Sequence, residues 1–223
     1  MKNKLIKYFP YISSVIFVIL ISFYFVMFSP ITGSFAGRNY YKDALEAHKN
    51  GDYENALRLY EIAVEENPEL KEAYYNMIII YNNQFHNISS TVNEMDALLL
   101  ASQMKRAEGH SELLKNESSL ISLISVFVEK EESLLKSIDD NLDFAPEIRD
   151  SGREFVKNTS LSIYYYKIVL INLKDAVDAE MRGEDAEQFY ENARANATIR
   201  NEYAEMANRN LEEFYSALRD KTI

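Results

Sequence analysis

The chain has 223 residues, with 24 Lys+Arg against 35 Asp+Glu and a formal charge of −11. That balance excludes the clustered basic surface needed to displace counterions from nucleic acid, and the lack of cysteine excludes disulfides, thiolate catalysis and Cys-ligated zinc. With 47% hydrophobic residues but only 6 Gly and 4 Pro, there is material for a packed core, and the scarcity of turn formers disfavours a turn-dense small β protein.

The chain opens with a stretch suited to a bilayer. From Tyr11 to Phe28, 18 residues run without charge, Pro or Gly, and 12 of them are Ile, Leu, Val or Phe. As a helix this stretch extends about 27 Å, close to the ~30 Å hydrocarbon core. Its apolar residues contribute roughly −4 to −7 kcal/mol towards insertion. Lys2, Lys4 and Lys7 precede it without an acid, whereas Arg38 and Lys42 come later and Asp43 follows at once. The positive end stays inside. Residues 1–10 are therefore expected in the cytoplasm, 11–28 as a single-pass signal-anchor helix in the cell membrane, 29–37 as a linker, and the body outside. A signal peptide cut after Ser34-Phe35-Ala36, before Gly37, is the alternative, although its apolar core would exceed the usual ~7–15 residues. Either way the body is exported. Asn-x-Ser/Thr sites at Asn87, Asn116, Asn158 and Asn196 permit glycosylation if the host performs it.

The body reads as helix throughout. Arg38–Asn50 is the first helix, ended by Asn50-Gly51-Asp52. Tyr53–Asn67 is the second, with Ala56, Leu57, Tyr60, Ala63 and Val64 at 3–4 spacing and Pro68 beyond its end. Glu69–Gln84 is the third, and Phe85–Ser90 interrupts the pattern. Tyr40, Ala44, Gly51, Tyr53, Ala56, Tyr60, Ala63 and Pro68 follow the small/large order of a tetratricopeptide repeat (TPR), and Tyr74 falls one 34-residue period after Tyr40. Region 38–84 thus resembles about one and a half repeats of that family. The resemblance implies stacked antiparallel helix pairs and a groove for a peptide or partner helix. The groove would be lined by Arg38, Tyr41, Leu45, His48 and Lys49 on one helix and by Glu72, Tyr75, Ile79, Asn82 and Asn83 on the next. Later helices filling that groove from within the molecule are the alternative, because so few repeats need covering.

Residues 91–223 are expected to form a helical bundle. Thr91–Lys115 carries Val92, Met95, Leu98 and Leu99 on one side. Ser118–Asp139 carries a stripe of Leu120, Ile124, Phe127, Leu134 and Ile138 that Glu131 interrupts. Pro146–Arg182 and a last helix to about Arg219, joined at Gly183, predict an antiparallel, coiled-coil-like hairpin about 50 Å long.

Chemistry is sparse in the pattern. Three residues before His48, His86 and His110 stand Leu45, Asn83 and Ala107, so the Glu-x-x-His spacing of a bundle di-iron site is absent. No metal, cofactor or catalytic residue is expected. Glu129, Glu131 and Glu132, like Asp139, Asp140 and Asp143, read as solvated faces. Tyr164-Tyr165-Tyr166 reads as core packing or as an interface. The leading expectation is a membrane-anchored, non-enzymatic adaptor or assembly protein, with a protein or peptide partner and the lipid bilayer as its contacts and no nucleic acid. A ligand-binding or sensory helical domain working through a partner, or a self-associating structural envelope protein, is the alternative.

Overall fold

The computed structural model describes residues 30–219. They form six α-helices and one short 3-10 turn and, among the described residues, no strand. The described residues are all-α, as the helical periodicity predicts. The helices are α1 (Pro30–Lys49), α2 (Tyr53–Glu66), α3 (Lys71–Ala107), α4 (Leu114–Leu142), α5 (Arg149–Met181) and α6 (Glu187–Arg219). The Tyr11–Phe28 stretch lies outside the described residues. Among the described residues no helix is long and apolar enough to cross a membrane.

The chain divides into two compact units, one up to Ala73 and one from Tyr74 onward. The division falls earlier than the boundary at 84 expected from sequence, so most of α3 belongs with the later helices.

In the first unit, α1 begins at Pro30, inside the stretch read as a linker. Proline suits a first helical turn, where its missing N–H bonds nothing. The α1–α2 turn rests on Gly51, whose φ of 77° a side chain would strain, and Asp52 caps α2 by accepting from the Asn55 amide. The two helices run antiparallel, with Gly37 against Ala63 and Asn67 and Tyr41 near Tyr60. Small residues permit this approach: Ala44, Ala56 and Ala63 are fully buried, and a Cβ on Gly37 would stand 2.9 Å from the Ala63 carbonyl oxygen.

In the second unit, α3 to α6 form an up-down-up-down bundle. Phe85, Asp96 and Arg106 of α3 meet Phe155, Tyr166 and Glu180 of α5 in the same order. Ser89 and Arg106 meet Glu131 and Glu117 of α4 in reverse order. The α5–α6 hairpin turns on Gly183 (φ 76°), with the Glu184 amide donating to the Ala179 carbonyl. It zips through Phe155–Phe214, Asn158–Asn210 and Tyr165–Tyr203. The core is one cluster that includes Ile78, Phe85, Ile124, Ile138, Leu142, Phe155, Leu170 and Phe214.

Two expectations are corrected here. The break at Phe85–Ser90 does not occur, and α3 runs through it. Phe85 and Val92 are buried and Ile88 packs beside them, so the 3–4 stripe continues beneath polar neighbours that face out. Conversely, the expected helix Thr91–Lys115 ends at Ala107, where Gly109 (φ 108°) turns the chain into α4. Leu98 is 62% exposed and lies off the buried side.

Candidate functional site

The bundle interior carries polar side chains at three levels along its axis. At the end near the α4–α5 loop, Asn82 is 1% exposed and donates through Nδ2 to the Tyr215 hydroxyl at 2.8 Å. At the opposite end, Arg106 donates through Nε to both oxygens of Glu117, at 3.0 and 3.2 Å, through Nη1 to Glu180 and through Nη2 to the Tyr190 hydroxyl at 2.6 Å. Burial alone would lower the Arg106 pKa, but its bonds to Glu180 and Glu117 carry it upward, so the guanidinium stays charged. This cluster is closed: its donors are spent on partners from α4, α5 and α6, the bundle's own walls.

The middle level is different. Glu131 of α4 is 6% exposed, and its Oε1 accepts from the Ser89 hydroxyl of α3 at 2.6 Å. Two turns further along α3, Asp96 accepts from the Tyr166 hydroxyl of α5. Burial raises the pKa of both carboxylates, against the Ser89 and Tyr166 hydrogen bonds and the nearby Arg200 charge. Burial, and then Asp96, push the Tyr166 hydroxyl up as well. Arg200 of α6 lies over the Tyr166 ring with its guanidinium carbon 4.8 Å from the centroid. Its Nη1 reaches the Asn201 side chain at 3.3 Å, while its Nε is buried without a partner. His86 stacks on Tyr215, and its Nε2 is likewise buried without a partner. Burial lowers its pKa, which keeps the ring neutral near pH 7.

These groups surround a cavity of about 380 Å³ lined by Phe85, His86, Ser89, Asn93, Glu131, Phe155, Tyr166, Arg200, Asn208 and Leu211, among others. A neighbouring cavity of about 300 Å³ is lined by Asp96, Leu99, Gln103, Leu173 and Ala197 and shares Tyr166 and Arg200 with the first. Both sizes lie at the lower end of the range for small-molecule sites. No group of three His, Asp or Glu among the described residues is arranged to hold a metal ion.

The residues singled out from sequence fall into two sets. Arg38 and Lys49 are exposed, Tyr41 and Leu45 are half-buried on α1, and His48 is held beside Tyr60 with Nδ1 at 3.4 Å from the hydroxyl. Burial lowers the His48 pKa. Glu72 is exposed at the start of α3. Further along α3, Tyr75 is 7% exposed and donates to Glu147 at 2.6 Å, and Asn82 is committed to Tyr215. Ile79 is half-buried and Asn83 exposed. Among the TPR-type packing residues, Ala44, Ala56, Tyr60, Ala63 and Tyr74 are buried, Tyr74 stacking on Phe144 with centroids 4.4 Å apart. Tyr40 and Tyr53 are exposed by 38% and 43%.

Sequence reasoning missed the middle level. Glu131 was read as part of a solvated run, yet it is buried, whereas Glu129 and Glu132 are exposed as expected. The signal was its place in the stripe between Ile124, Val128, Leu135 and Ile138, all buried on the same face of α4. Tyr164-Tyr165-Tyr166 divides in the same way, with Tyr166 buried, Tyr165 stacked on Tyr203 and Tyr164 exposed. Of the glycosylation sequons, Asn158 is 3% exposed and bonded to Asn210, so the fold closes that one. Compared with protein-family models, curated proteins and solved structures, the chain matches none.

Proposed function

We propose that this chain is a single-pass, membrane-anchored protein whose extracytoplasmic helical body works by contact, as an adaptor or assembly factor docking a protein or peptide partner on a TPR-like N-terminal hairpin. The anchor rests on the uncharged run from Tyr11 to Phe28 and the lysines before it. The observation that carries the docking role is the α1–α2 hairpin. Its interior is built from Gly37 and alanines at repeat spacing, and α1 presents Arg38, Tyr41, Leu45 and Lys49 on or near its surface. An apolar and aromatic centre with cationic rims suits a short peptide segment or a partner helix. Tyr75 and Asn82 of α3 are bonded to Glu147 and Tyr215 within their own unit, so the reading rests on the α1 face.

The experiment is photo-crosslinking from position 45 in intact membranes, followed by mass spectrometry. A defined partner captured by the wild type and lost with Arg38→Ala/Tyr41→Ala supports docking on α1. Equal capture by both proteins refutes it. External protease on intact cells should reach α6, and full protection would reverse the orientation.

A second reading is favoured by the bundle cavity. The second unit would be a ligand-binding domain that reports occupancy to a partner.

A further inference from the structure

We propose that the cavity at the middle of the bundle binds a small zwitterion with an apolar body, the chemistry of an α-amino acid with an aliphatic or aromatic side chain. This rests on the ligand-binding reading and is independent of docking on α1.

The bundle supplies its own control. Arg106 and Arg200 both project from helices of one unit towards buried carboxylates. Arg106 is bonded to Glu117, Glu180 and Tyr190 and is structurally complete. Arg200 forms no ion pair with Glu131 or Asp96 among the described residues, and its Nε is orphaned. Leaving a buried donor unmet costs about 1–3 kcal/mol. The orphaned Arg200 Nε–H, on a cationic side chain lining the cavity, calls for an acceptor such as a carboxylate. On the facing helix Glu131 spends one oxygen on Ser89, leaving the other for a donor such as an ammonium.

Charge separates the alternatives. A simple anion would meet Arg200 but would be brought beside Glu131. A simple amine would meet Glu131 but leave Arg200 Nε unmet and face its charge. A molecule with both groups satisfies both walls. Phe85, Val92, Phe155, Ile163 and Leu211 supply much of the apolar lining, and at ~30 Å³ per water the cavity holds roughly a dozen waters, the room of one amino acid. Asn93 and Asn208 line it while exposed, marking its mouth.

The test is titration calorimetry of the full-length chain in mild detergent with L-leucine and L-phenylalanine. Isopentylamine and 4-methylpentanoate, which each keep one charged group of leucine, are titrated in parallel. One amino acid should bind saturably, with both half-ligands weaker by about tenfold or more. Glu131→Gln and Arg200→Gln should each weaken it by about tenfold or more, and Ala204→Phe, which fills the cavity, should abolish binding while helicity by circular dichroism is unchanged. A half-ligand that binds as tightly as the amino acid overturns the zwitterion and leaves the ligand-binding reading standing. No binding by any of the four overturns both.

Discussion

The two units solve the problem of joining helices in opposite ways. The α1–α2 hairpin brings backbones together by removing side chains, through Gly37, Ala44, Ala56 and Ala63, and a long polar contact links His48 to Tyr60. The bundle keeps its helices apart with aromatic and aliphatic residues and sets charges among them, some closed by partners and some not. Small-residue packing completes itself, whereas a buried polar network is either fully satisfied or is waiting for something. The contrast places the unfinished chemistry in the bundle and leaves the hairpin with an outer face to offer.

The contrast can be broken most forcefully at the closed cluster. Glu117 is fully buried, so Glu117→Ala leaves the Arg106 Nε without its buried carboxylate, though Glu180 still holds the guanidinium, and should cost about 3 kcal/mol, read as a drop in the urea midpoint. In the hairpin the comparable insult is steric. Gly37→Ala sets a Cβ 2.9 Å from a backbone oxygen and another 2.9 Å from Asn67 Cβ, and overpacking of this kind should cost about 1–3 kcal/mol.

A smaller effect separates the units by pH. Folding raises the Glu131 pKa, in the company of Ser89 and Asp96 on α3, Tyr166 on α5 and Arg200 on α6. A raised pKa contributes stability that is complete below the ordinary value of 4.5 and is lost as pH climbs through the folded value. Glu131→Gln removes that loss, so the variant should gain on the wild type between acid and neutral pH, measured as the difference in urea midpoints. His86 and His48, whose pKa values burial lowers, act in the other direction. Their stability is present above 6.5 and lost as pH falls through the folded values. The smallest effect belongs to the hairpin: Tyr60→Phe gives up only the 3.4 Å contact with His48 and should cost no more than about 1 kcal/mol.

How much of this was readable in the sequence depended on the range of the signal. Helix α2 was legible nearly to the residue, because its cap at Asp52, its 3–4 stripe and Pro68 are all local. The α5–α6 hairpin was legible for the same reason, from Gly183 and two long periodic runs. The continuity of α3 through Phe85–Ser90 was not, since Asn and Ser weaken helix propensity locally while burial of Phe85 and Val92 overrides it. The middle of the bundle was least legible. Ser89 and Glu131 are 42 residues apart, and Asp96 and Tyr166 are 70 apart, so only the fold brings them together. Glu131 alone announced itself, as a charge inside an apolar stripe.

The claim that the bundle interior is completed by a small molecule is tested most directly by native mass spectrometry of the full-length chain, extracted intact from the membranes of the cells that make it. The wild type should carry the added mass of one small ligand, and Arg200→Gln should fly without it. Bare polypeptide mass for both would contradict the account.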